Sequence, residues 1–147
     1  MADDLLDTYY SIVHIRLPIL EPDEFRARFS DPDAHPDGPV YHPLLAVALA
    51  WGARFSDHPI IAADRDEITK RRRDGPDGSG PDGPERSRLV QLMIIRAREV
   101  AEVNKAFRVA SLDNVRLGIL MESLLAREYR VRIRGRGRYP FDLVADR

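Results

Sequence analysis

The sequence predicts an all-α fold: about five helices around one buried central helix, an incomplete helical domain that ends in a non-helical C-terminal tail. The first observation is the stretch HPLLAVALAWGARFSD, residues 42–57. Leu44, Leu45, Val47, Leu49, Trp51 and Phe55 are interspersed there with Ala46, Ala48, Ala50 and Ala53, and no polar face remains. A helix that is apolar nearly all round is a buried helix, and about 13 residues falls short of the roughly 18 that suggest a membrane span. The second is that the flanking segments carry apolar residues at three- and four-residue steps, which is helical periodicity. The third is an abrupt change after residue 126. There Arg130, Arg132, Arg134, Arg136 and Arg138 alternate with Val131, Ile133, Gly135 and Gly137, and the helical period stops.

From the N-terminus, Asp3 or Asp4 caps a first helix whose stripe steps from Leu5 to Tyr9 to Val13 and from Leu6 to Tyr10. Pro18 ends it, because the residue before a proline is pushed out of the helical region. Residues 16–20 then run extended over the central helix, anchored by Leu17, Ile19 and Leu20. Glu21 to Glu24 restart a short helix with acids in its first turn, where the helix dipole favours them, and Phe25 and Phe29 share its buried side. Residues 30–42 hold three prolines, three aspartates and a glycine and read as loop. Pro43 opens the central helix at a position where its missing N–H does no harm. Residues 60–73 are helical with rising polarity and end in Lys70, Arg71, Arg72 and Arg73. Residues 74–84, DGPDGSGPDGP, form a flexible internal loop.

A long helix is expected over residues 85–108, its apolar face traced by Leu89, Leu92, Met93, Val100, Val103 and Phe107, with Arg96 the exception. Ser111 caps a last helix that carries Leu112, Val115, Leu117, Ile119, Leu120, Met121, Leu124 and Leu125. That helix is apolar on too many sides to end a protein, so more chain should cover it. The expected core is Leu5, Tyr9, Val13, Phe25, Phe29, Leu45, Trp51 and Phe55.

With 147 residues, 44% of them hydrophobic and 32% charged, the chain fits one globular domain. The net charge of −1 hides an asymmetry: residues 127–147 hold seven arginines against Glu128, Asp142 and Asp146, so residues 1–126 carry −5. An acidic body is a poor electrostatic partner for nucleic acid. The absence of cysteine excludes disulfides, thiolate nucleophiles and cysteine-ligated zinc. Met-Ala-Asp-Asp has acid where a signal peptide has a basic region, so a chain kept inside the cell is expected.

The order of these signals resembles the regulatory, or middle homology, region of fungal zinc-cluster transcription factors. LLDTYYSIVHIRLPILEPDEFRARF, residues 5–29, is similar to the family's opening: a helix with a leucine and an aromatic pair, a histidine, an extended proline-isoleucine-leucine, then a short helix with a phenylalanine. HPLLAVALAWGARFSDHP, residues 42–59, resembles its apolar alanine-rich helix ending in glycine-alanine-arginine-phenylalanine. AREVAEVNKAF, residues 97–107, followed by LDNVRLGILMESL, residues 112–124, is a weaker match. The resemblance implies a transcription-regulating segment, residues 1–126, of a nuclear protein. DNA binding and zinc would belong to a six-cysteine module missing from this chain. Partners would be other proteins or further helices of the same factor, with no membrane. Two departures stand out: no cysteine is present, and the family continues through more helices where this chain turns to the basic tail, residues 127–147. That tail is expected to be disordered or non-native, such as a retained intron. The alternative is a stand-alone helical adaptor or relic without DNA binding.

No catalytic or metal site is expected. His14, His35, His42 and His58 match no ligand spacing such as HExxH, and capping and turn roles suit them better. Asp31, Asp33 and Asp37 suggest a calcium loop, but Pro36 stands where the sharp-turn glycine is required. Ser79 lacks the strand and helix of a nucleophile elbow, and no GxxxxGK[ST] or GxGxxG occurs. The run Lys70, Arg71, Arg72, Arg73 is a possible nuclear-import signal, weighed against a solvated helix end with cations near the dipole. The arginine alternation of the tail would suit phosphates if it formed an extended arm.

Overall fold

A computed structural model of the chain describes residues 1–33, 35–73 and 87–135, without the side chains of 72, 73 and 127–135. All regular secondary structure among the described residues is helical. Helix α1 (Ala2–Thr8) runs straight into a π-helical turn (Tyr9–Val13), followed by α2 (Pro22–Ser30), α3 (His42–Phe55), α4 (Pro59–Arg73), α5 (Arg88–Val103) and α6 (Leu112–Gly135). The flexible loop expected at 74–84 lies outside the described residues.

The central position of α3 follows from its composition. Val47, Ala48, Ala50 and Ala53 are fully buried and Trp51 is 1% exposed. The helix is enclosed by α1 with its π turn, by α5 and by α6. The indole N–H of Trp51 donates to the Leu120 carbonyl of α6 at 3.0 Å, so the one polar atom of this large side chain is satisfied inside the core. Gly52 faces α1. A Cβ built on it would stand 1.9 Å from the Leu5 carbonyl oxygen and 2.7 Å from its carbon. Only the missing side chain lets the two helix backbones meet.

Helix α1 begins at Ala2, so Asp3 and Asp4 occupy its first turn rather than its cap. Leu5, Leu6, Tyr9 and Val13 are buried as the stripe predicts. Between Tyr9 and Val13 the bonding shifts to i→i+5, closed by His14 N–H to Tyr9 carbonyl at 3.0 Å. Helix α2 is capped by the Glu21 carboxylate, which accepts from the Glu24 N–H. Arg28 near its end donates to three successive loop carbonyls, Asp37, Gly38 and Pro39, at 2.9–3.4 Å. Gly38 takes a left-handed φ of +69° there.

Helix α5 corrects part of the expected face, since Leu89 and Met93 pack against the core as expected. Val90, Ile94, Ala97 and Ala101 are buried, whereas Leu92, Val103 and Phe107 are 57–80% exposed. Small residues win because α5 packs closely on alanine-rich α3 and large side chains would hold the axes apart. The helix also ends earlier than the expected Arg108. Lys105 adopts φ +53°, and Ala106 N–H reaches the Ala101 carbonyl while Lys105 N–H reaches Glu102, both at 3.0 Å. These two bonds make a Schellman cap. At its start, buried Ser87 accepts from Val90 N–H and donates to Asp64 of α4, which also accepts from Leu89 N–H at 3.1 Å.

Ser111 caps α6 as expected, accepting from Asn114 N–H at 3.1 Å. Leu117, Leu120, Met121 and Leu124 face the core. The helix continues through Gly135, nine residues past the boundary read at 126. Arginine is a good helix former, and its alternation with Val131 and Ile133 contains no breaker before the glycine. Residues 136–147 lie outside the described residues.

Candidate functional site

Where the π turn leaves α3 uncovered, a groove of about 470 Å³ opens between three elements. Ile12, Val13, Arg16 and Leu17 form one wall, Trp51 and Phe55 the floor, and Ser123 and Ala126 of α6 the other wall. The geometry follows from local sequence. Four-residue spacing puts Trp51 and Phe55 on one side of α3, their rings stacked at 6.1 Å with 7° between planes. Phe55 is only partly buried, so it covers the indole and meets the groove. The wider π turn, a feature often found at functional sites, buries Tyr9 and Val13 while leaving Ile12 42% exposed.

The groove is cationic at its rim. The Arg16 side chain is exposed and forms no ion pair or hydrogen bond among the described residues, and Arg54, outside the lining, lies over the Trp51 ring at 6.0 Å. Ser123 offers a hydroxyl, and no carboxylate is among the described lining residues.

Beside the groove is a second group of polar atoms. Tyr9 packs edge-on against Tyr10 at 5.1 Å, and Tyr10 against His14 at 5.4 Å and Phe25 at 6.4 Å. The hydroxyls of Tyr9 and Tyr10 and Nδ1 of His14 are buried without a hydrogen-bond partner among the described residues. Burial pushes the Tyr9 hydroxyl well above its ordinary pKa. For Tyr10 burial dominates, Tyr9 and Glu21 add to the rise, and Arg26, at 5.1 Å over the ring, opposes it.

The residues singled out in the sequence fall as follows. Leu5, Tyr9, Val13, Phe25 and Trp51 lie in the core, and Phe29, Leu45 and Phe55 pack against it partly buried. Lys70 and Arg71 are exposed at the end of α4, Arg71 paired with Glu67, and the side chains of Arg72 and Arg73 lie outside the described residues. The four histidines do not converge. His14 sits against Tyr10, His35 3.8 Å from Asp37, His58 3.7 Å from Asp4, and His42 is exposed at the start of α3. Among the described residues no group of three His, Cys, Asp or Glu side chains could hold a metal ion. No described helix is long and apolar enough to cross a membrane.

Sequence reasoning did not single out Arg16, Ser123 or Ala126 as site residues. They meet only through the packing of α6 beside the π turn, and no local signal joins positions about a hundred residues apart. Comparison with family models, with curated proteins and with solved structures finds no match for this chain.

Proposed function

We propose that the chain is the regulatory segment of a fungal zinc-cluster transcription factor. One juxtaposition carries the reading. The two blocks that bear the resemblance, LLDTYYSIVH and HPLLAVALAWGARFSD, pack on each other, and the glycine of the GARF turn is the residue that admits the Leu5 backbone. In the complete protein DNA would be held by a zinc cluster that this cysteine-free chain does not contain, and Lys70 to Arg73 would serve nuclear import. No catalytic role is assigned to any residue. Regulation would work by a ligand- or partner-dependent shift in helix packing that exposes or masks activation surfaces.

Full-length transcript sequencing tests this. The reading expects the frame to extend upstream through six closely spaced cysteines and downstream from the region of Leu124 into further helical sequence. Transcripts that begin the frame at Met1 and stop after Arg147 would overturn it.

The stand-alone adaptor is the second reading, favoured by one observation. Leu112, Val115 and Ile119 line the outer face of α6 at 46–66% exposure, a spacing suited to a helix seated in a partner's groove. A purified chain that stays monomeric and binds no hydrophobic dye would count against it.

A further inference from the structure

We infer that the groove between the π turn, α3 and α6 binds an aliphatic monocarboxylate of the fatty-acid class. Its volume of about 470 Å³ falls within the roughly 300–1,000 Å³ of small-molecule sites, which pair apolar walls with a few placed polar groups. Phe55 on one side and Arg54 at the ring already engage Trp51. That leaves the branched side chains of Ile12, Val13 and Leu17 to meet an occupant. Such a surface suits a flexible hydrocarbon better than a stacked ring. The charge of the head group follows from the rim. The Arg16 side chain has no partner among the described residues, Ser123 can donate one hydrogen bond, and no described lining residue is acidic. A carboxylate accepts from both donors, whereas an ammonium would meet like charge. The same occupant would bridge the π turn and α6 across the groove.

Binding is read on the full chain itself, so the outcome does not depend on where the complete protein acts. Trp51 is the chain's single tryptophan and forms the groove floor, so its emission reports occupancy. The probes are decanoate, decanol and decylammonium, each below its aggregation threshold. Decanoate gives a saturable emission change, decanol binds about three- to fivefold more weakly, as loss of an exposed ion pair allows, and decylammonium more weakly still. R16E, at an exposed position, abolishes the preference for decanoate over decanol. Ala126→Phe, which fills the groove without adding a second tryptophan, removes binding of all three, with circular dichroism confirming that the helices remain. No saturable change with decanoate overturns the proposal. So does equal affinity for decanoate and decanol, or a preference that survives in R16E. If the chain instead self-associates through this face and decanoate does not compete, the occupant is a second copy and the assignment fails.

Discussion

Replacing Gly52 by alanine is the sharpest test of the packing, because local and tertiary physics give it opposite signs. Within a helix, alanine is favoured over glycine by about 1 kcal/mol, so the isolated sequence predicts stabilisation. In the fold, the new Cβ would stand 1.9 Å from the Leu5 oxygen and 3.1 Å from its Cα, and both obstacles are backbone, which no rotamer change removes. Helix α1 must retreat by about 1 Å or more to restore contact distance, and a gap of that size forfeits a quarter to a half of the dispersion well of each facing pair. The pairs at stake involve Leu5, Leu6, Tyr9 and Val13, all under 5% exposed. Overpacking ordinarily costs about 1–3 kcal/mol. With rigid backbone on one side and the propensity gain on the other, the net loss should be on the order of 2–4 kcal/mol, a large share of a typical domain's stability of about 5–15 kcal/mol. Equilibrium urea unfolding, followed by Trp51 emission and by circular dichroism, measures it. Gly118 in α6 is the control, since its Cβ would meet nothing within 4 Å, and Gly118→Ala should gain about 1 kcal/mol. If the two substitutions change stability alike, the close approach of α1 to α3 is wrong.

Three further outcomes follow from the same structure. Tyr9 is held neutral by burial, its pKa raised above the ordinary 10.0. Its contribution is therefore intact below pH 10 and lost as pH rises beyond it, at roughly 1.4 kcal/mol per pH unit. Tyr9→Phe should flatten that decline in alkaline denaturation curves and, by removing a buried hydroxyl with no partner among the described residues, raise neutral-pH stability by about 1 kcal/mol; an unchanged alkaline slope would refute this. Ser87→Ala removes the cap of α5 and its bond to Asp64 and should cost about 1–2 kcal/mol, with hydrogen exchange accelerating first at Leu89 and Val90. Lys105 occupies the left-handed position of a Schellman cap that glycine fills without strain, so Lys105→Gly should raise the melting temperature by a few degrees, equivalent to about 0.5–1 kcal/mol. A lower melting temperature would mean that the cap is not formed.

How much was legible depended on whether a feature was written locally. Helix α3 could be read outright, since a run with no polar face has one solution, and the stripe Leu5, Tyr9, Val13 gave α1 its buried side. The face of α5 was legible in part: Leu89 and Met93 pack against the core as their spacing predicts, but Leu92, Val103 and Phe107 outweigh Ala97 and Ala101 in hydrophobicity while the closeness of α3 selects the smaller residues. The end of α5 was missed because a lysine stands where a glycine would have signalled the turn. The role of Gly52 requires knowing what lies opposite it, and Leu5 is 47 residues away. The groove is the extreme case, for Arg16 and Ser123 become neighbours only once both ends of the chain have settled on α3.

The π turn makes the first helix a matter of counting. A π turn is a helix carrying one residue more than its pitch accommodates, and each residue in an ordinary helix advances the chain by about 100° of rotation. Deleting Ser11 would let the segment from Ala2 to Val13 wind as regular α-helix, a change that propensity tables regard as harmless. Because the wide turn absorbs that extra residue, its loss would leave Leu5 and Leu6 close to their present phase relative to Val13, whereas a residue added to α1 with no further widening would swing them through more than a quarter-turn and dephase the carbonyl that meets Gly52 from the anchors at the far end. In this segment a one-residue insertion should therefore be tolerated less well than the deletion of Ser11, so the wide turn sets which changes of length the first helix can take.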